Sequence, residues 1–111
     1  MTGDPQPFGY RVVSDEAGTT CLRLSGELDM EAAPTLKNVL HDLQHGGAQE
    51  IVIDLRELSF LDSMGLSALV DAHTAGREGH QKVSFIRGGR TVQRVFTVTE
   101  MDERVSWVEP S

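Results

Sequence analysis

An apolar run, Glu50-Ile51-Val52-Ile53-Asp54-Leu55, stands between two stretches whose apolar residues recur at helical spacing, and that arrangement leaves few folds open. Before it, Leu36, Val39, Leu40 and Leu43 fall on one helical face; after it, Leu66, Leu69 and Val70 do the same. The run lacks polar alternation, which suits a central strand covered on both faces, so helices are expected on its two sides. Gly46-Gly47 ends the first helix; the second runs from about Met64 to Arg77 and stops at Gly79, before a strand over Lys82 to Ile86. Tyr10 to Val13 and Thr20 to Leu24 read as a hairpin across Asp15-Glu16-Ala17-Gly18. Val92, Val95 and Phe96 suggest a short third helix, and Val105 and Trp107 a last edge strand. This order predicts an α/β domain with a mixed sheet of about five strands and helices packed against it.

A chain of 111 residues is long enough for one core and too short for two ordinary domains. Residues 1–7, with Gly3, Pro5 and Pro7, read as a flexible leader, 8–108 as the domain and 109–111 as a tail. Seventeen acidic against ten basic residues give a formal charge of −7, which opposes association with nucleic acid or an anionic membrane. Neither is expected as a partner. Cys21 has no second cysteine to pair with, and the sequence shows neither a signal peptide nor an apolar stretch of bilayer length. A cytoplasmic setting is the expectation.

In open α/β sheets the functional surface lies where the carboxyl ends of strands lead into helices. Gly26-Glu27-Leu28-Asp29 and Leu61-Asp62-Ser63-Met64-Gly65 both occupy such positions. If the second and third strands are parallel neighbours, the two loops present Asp29, Asp62 and Ser63 together. Ser63 sits at a helix mouth, where unpaired N–H groups and the positive dipole end let the fold tolerate a phosphate. Taken alone, Ser63 reads as a helix N-cap worth about 1 kcal/mol, and Asp29 as the cap of the helix carrying Leu36 to Leu43, with Pro34 in its first turn. Asp62 has a matching structural role, orienting its turn through a side-chain-to-backbone hydrogen bond.

Three segments, in this order and spacing, resemble the STAS domain and more narrowly the bacterial anti-sigma factor antagonists. They are Leu24-Ser25-Gly26-Glu27-Leu28-Asp29, the stretch from Ile51-Val52-Ile53-Asp54-Leu55 to Phe60-Leu61-Asp62-Ser63-Met64-Gly65-Leu66, and Val92-Gln93-Arg94-Val95-Phe96. The resemblance implies a binding module and not an enzyme. Its partner would be an anti-sigma factor that is also a serine kinase, and binding would release a sigma factor. Ser63 would accept phosphate, and Glu27, Asp29, Met30, Asp62, Ser63, Met64 and Gly65 would form the partner surface. The module would hold no cofactor; ATP and magnesium would belong to the kinase, and a phosphoserine phosphatase would reverse the modification. A phosphoserine adds about −1.5 to −2 charges, here beside Asp29 and Asp62. Many relatives carry a second hydroxyl residue after the acceptor, whereas this chain has Met64, an unbranched side chain that packs adaptably. The alternative on the same fold is a docking subunit of a transport or stress-sensing assembly, without a phosphate cycle.

Other chemistries are poorly served. A serine hydrolase needs a base near Ser63, and His73 lies ten residues along the same helix, about 15 Å away. It reads instead as a residue at the edge of the core. His41 and His45 share a helical face but lack a third metal ligand. Gly88-Gly89-Arg90-Thr91 reads as a turn, without the spacing and lysine of a nucleotide loop, and Cys21 as a buried or half-buried strand residue with nothing nearby to activate its thiol.

Overall fold

The computed structural model describes residues 6–110. Its elements run β1 (Gly9–Ser14), β2 (Thr19–Leu28), α1 (Ala33–His45), β3 (Glu50–Leu61), α2 (Ser63–Glu78), β4 (Lys82–Ile86) and α3 (Arg90–Val98), followed by a 3-10 turn over Met101–Glu103. The sheet order is β1-β2-β3-β4, with β1 antiparallel to β2 and the remaining pairs parallel. Asp15 builds the hairpin: its Oδ1 accepts from the N–H groups of Ala17 and Thr19 at 2.8 and 3.0 Å. This is the local bonding by which aspartate initiates turns.

The core occupies one face of the sheet. Leu22, Leu24 and Leu28 of β2 and Ile51, Ile53, Leu55, Leu58 and Leu61 of β3 join Leu36 and Leu40 of α1, Leu66 and Leu69 of α2, and Val92 and Phe96 of α3 in a single cluster. Each such side chain contributes roughly 1.5–3 kcal/mol by leaving water. The expectation of helices on both faces does not hold. Val52, Asp54 and Arg56 point away from the cluster and, with Cys21, Arg23 and Ile86, line an open groove to which no helix contributes.

A salt bridge covers part of this open face. Asp54 is only 5% exposed. Arg56 covers its carboxylate, donating from Nη2 to Oδ2 at 2.8 Å and from Nε to Oδ1 at 3.0 Å, and the Arg56 N–H adds a bond at 3.0 Å. Burial works against ionisation of Asp54, but the Arg56 hydrogen bonds and the charges of Arg56 and Arg23 outweigh it and hold the carboxyl below its ordinary range.

β3 is longer than its apolar run suggests. The pairing advances from Arg23↔Asp54 to Ser25↔Glu57, and from Gly26↔Leu58 to Glu27↔Phe60, so β3 carries two extra residues relative to β2. Each is a bulge, which resets the alternation of faces. Leu55, Leu58 and Leu61 therefore all point into the core although they are three residues apart.

The expected last strand is reduced to an isolated bridge, Phe85↔Trp107, so the sheet has four strands among the described residues. Its two hydrogen bonds join Phe85 N–H to Ser106 O at 2.8 Å and Val108 N–H to Phe85 O at 2.9 Å. The 3-10 turn before this segment and Pro110 after it leave little room for a longer ladder. Trp107 instead closes the core, its ring 5.0 Å from Phe96 and 5.9 Å from Phe85, with Nε1 donating to Asp102 O at 2.9 Å. The proposed leader is partly tied down: Gln6 O accepts from Glu27 N–H at 3.0 Å, and Gly26, at φ +77°, leaves space for the Pro7 carbonyl that a Cβ would fill. Residues 1–5 of that leader, and Ser111 of the tail, lie outside the described residues.

Candidate functional site

Parallel pairing brings the ends of β2 and β3 together, Glu27 beside Phe60 and Leu28 beside Leu61. The loops leading into α1 and α2 consequently share one edge of the molecule, and Asp62 ties them. Its N–H donates to Leu28 O at 3.1 Å, its Oδ2 accepts from Met30 N–H at 2.9 Å, and its Oδ1 accepts from Gly65 N–H at 2.9 Å.

Asp62, not Ser63, is thus the N-cap of α2. The physical reason is that a carboxylate has two oxygens: one reaches the third residue of the helix while the other holds the neighbouring loop, and a single hydroxyl cannot do both. Ser63 becomes the first helical residue, exposed and relieved of capping. The spacing of Asp62 and Gly65 was the available signal for this assignment. Asp29 is likewise not the helix cap. That position belongs to Ala32, which offers no side-chain bond, and the helix begins at Ala33 with Pro34 in its first turn. Asp29 organises the preceding turn, its Oδ1 accepting from Glu31 and Ala32 N–H groups, each at 3.0 Å.

Gly65 is buried, and a Cβ there would lie 2.7 Å from both Leu28 Cγ and Leu28 O. Its part in the site is to seat α2 against β2, not to face a partner. The presented residues are apolar as well as acidic: Met30 and Met64 are 67% and 49% exposed, and Phe60, absent from the sequence-based site, is 42% exposed beside Glu27. Alternation gave no sign of Phe60, because the bulges shift its phase. Glu27 and Asp29 are half-buried, and with Glu31, Phe8, Tyr10 and Thr35 they border an open depression of about 470 Å³ that continues from the site.

Electrostatically, the mouth of α2 balances two effects. The N–H groups of Ser63 and Met64 have no partner within the helix, which favours an anion there. The Asp62 carboxylate next to them repels a second negative charge. His73 lies far along α2, its Nε2 3.4 Å from Ser106 Oγ, and is held below its ordinary pKa first by burial and then by the charge of Arg77. The rings of His41 and His45 stack at 4.1 Å on α1, and no group of three or more potential metal ligands occurs among the described residues. No helix among the described residues is long and apolar enough to cross a membrane.

The family model for the STAS domain matches residues 10–111. The chain belongs to the STAS domain family. Among its STAS relatives is the anti-sigma-B factor antagonist of Staphylococcus aureus (strain NCTC 8325 / PS 47), 26% identical over 82 residues, which make up 74% of this chain and 76% of the relative. The fold is shared with an anti-sigma factor antagonist from Mycobacterium paratuberculosis, with a TM-score of 0.85 and 24% identity, over 99% of this chain and 92% of that one. It is also shared with the Bacillus cell fate determinant SpoIIAA in its phosphorylated form, with a TM-score of 0.72 and 18% identity, over 93% and 92% of the two chains.

Proposed function

We propose that this STAS domain is an anti-sigma factor antagonist acting in a partner switch. It binds an anti-sigma factor that is also a serine kinase, thereby frees a sigma factor, and lets go when Ser63 is phosphorylated. The observation that carries this reading is the division of labour at the mouth of α2: Asp62 does the capping, which leaves the Ser63 hydroxyl exposed and structurally spare. A spare hydroxyl can be modified without unbuilding the helix that presents it. The names of the relatives, antagonists of anti-sigma factors, support the same reading.

The switch follows from charge. Phosphorylation brings about −1.5 to −2 charges to a rim that already carries Asp62, Asp29 and Glu27. The unpaired first-turn N–H groups make the phosphate tolerable to the domain itself, so the penalty falls on the complex, through repulsion and through desolvation against exposed Met30, Met64 and Phe60. Met64 leaves Ser63 without a rival hydroxyl at the next position. ATP and magnesium act on the kinase side, and a phosphoserine phosphatase resets the module, whose own role is binding and not turnover.

The test is to isolate the tagged chain from its native cells with bound proteins, identify a kinase-type anti-sigma factor among them by mass spectrometry, and measure its affinity for variants. Wild type and Ser63→Ala should bind alike before ATP is added. After ATP and magnesium, only wild type should gain a phosphate and dissociate. Ser63→Glu should bind roughly 30-fold or more weakly, the effect expected of a like charge in an interface. Undiminished binding by Ser63→Glu, or phosphorylation of Ser63→Ala, would remove the proposal.

A further inference from the structure

A cleft between the second half of α2, the start of β4 and the segment after the 3-10 turn carries a charge opposite in sign to that of the molecule. It is an open cavity of about 400 Å³ whose lining includes His73, Arg77, Lys82, Glu103, Arg104 and Ser106. Three cations face one carboxylate there, in a chain of net charge −7. Lys82 is partly engaged by Glu50 at 3.8 Å, whereas Arg77 and Arg104 form no ion pair among the described residues. Guanidinium groups left unpaired on two elements that line one cleft, α2 and the segment after the 3-10 turn, make it locally positive and favour an anion.

The other two polar residues add donors. His73 is 8% exposed, and its Nε2 lies 3.4 Å from Ser106 Oγ. When His73 Nε2–H donates to Ser106 Oγ, the Ser106 hydroxyl hydrogen is left free to donate into the cleft. We propose that this cleft binds a compact oxyanion of the phosphate class, inorganic phosphate or the phosphoryl group of a small metabolite, gripped by Arg77 and Arg104 and oriented by Ser106 and His73. The guanidinium fork matches the geometry of phosphate oxygens. Glu103 limits the excess of positive charge, so the cleft suits a dianion better than a polyanion. Arg77 lies fourteen residues beyond Ser63 on α2, about 21 Å along the helix axis. This site is therefore separate from the phosphorylation switch and independent of it.

His73 gives the site a reporter. The charged groups of the cleft lining are Arg77 on its own helix, Lys82 on β4, and Glu103 and Arg104 beyond α3. A bound anion offsets Arg77, so binding should raise the pKa of His73. The test follows the His73 imidazole resonances of the full chain by NMR while inorganic phosphate is added at constant ionic strength, at about pH 7.5, above the second pKa of a phosphate group, and then over a pH series. A saturable shift and a raised His73 pKa are expected, with affinity about tenfold lower in Arg77→Gln and in Arg104→Gln and unchanged in Arg94→Gln on α3. Both cleft arginines are exposed, so these variants should keep their fold. Glucose 6-phosphate distinguishes the two sources: tighter binding than inorganic phosphate assigns the site to a metabolite, and equal binding assigns it to the free ion. A shift that fails to saturate, that chloride reproduces, or that survives Arg104→Gln overturns the proposal.

Discussion

The two ends of α2 are built to different rules. At its amino end Asp62 spends both carboxylate oxygens on backbone N–H groups from two loops, and Gly65 is pressed against Leu28. Everything that fixes this end is done by neighbours of Ser63, and the serine itself is left over. At the carboxyl end an added Cβ on Gly79 would lie 3.4 Å from the Ala75 carbonyl and 4.0 Å from that of Gly76, and Arg77 and Arg104 form no ion pair among the described residues. One end is rigidly joined so that a single exposed group can vary. The other is seated as closely one turn earlier, where a Cβ on Gly76 would lie 2.5 Å from Val83 Cγ2, and only its last residues, out to Gly79, are left open.

The strongest way to break this contrast is steric. Gly65→Val should destabilise the domain by about 3 kcal/mol in urea denaturation, because the branched side chain must displace Leu28 and its backbone. Gly79→Ala should change stability by no more than about 0.5 kcal/mol, since φ is −92° and the nearest atom is at ordinary contact distance. Equal losses in the two variants would end the distinction. Next in size, Asp62→Ala should cost about 2 kcal/mol, through loss of the cap and of the bond from Met30 N–H, while Ser63→Ala stays within about 0.5 kcal/mol. A large effect of Ser63→Ala would mean that the hydroxyl is not spare.

A smaller effect concerns pH. His73 titrates lower in the folded chain than in the unfolded one, chiefly from burial, so the unfolded state binds more protons in the window below about 6.5. Its contribution to stability is complete above that pH and is lost as pH falls through the folded value; His73→Gln should flatten this limb of a stability profile. Asp54, also lowered, contributes above about pH 4 and loses that contribution in stronger acid, so Asp54→Asn should lower stability at neutral pH and flatten the acid limb. The smallest effect should be any coupling between the ends. With Ser63→Glu and Arg104→Gln combined, stability changes should add within about 0.5 kcal/mol, as expected for distant sites.

Much of this could be read from the residues. Four strands and three helices lie where apolar spacing put them, and Lys82 to Ile86 matches β4 residue for residue. Parallel pairing of β2 with β3, inferred from the strand-helix order, is what brings Asp29, Asp62 and Ser63 to one edge. The departures have physical causes. Leu55, Leu58 and Leu61 hid the second half of β3, because bulges turn a period of two into a spacing of three. Val52 looked like a residue under a helix, and only the structure reveals that the polar cover of Asp54 and Arg56 takes the helix's place. Asp62 and Ser63 compete for the same cap in sequence; the spacing of Asp62 to Gly65 points to Asp62, but its second bond, from Met30 thirty-two residues away, is contained in no local pattern.

The two bulges of β3 lie between the central ladder and the Leu61-Asp62-Ser63 junction. Removal of Ser59, the unpaired residue between Leu58 and Phe60, would leave Phe60 opposite Glu27 and Leu61 opposite Leu28, with Ile51 and Ile53 in place. The strand can therefore change length just ahead of Ser63 without losing its pairing, so a lineage can vary the path into the helix by indels alone and leave the hydrophobic foundation untouched.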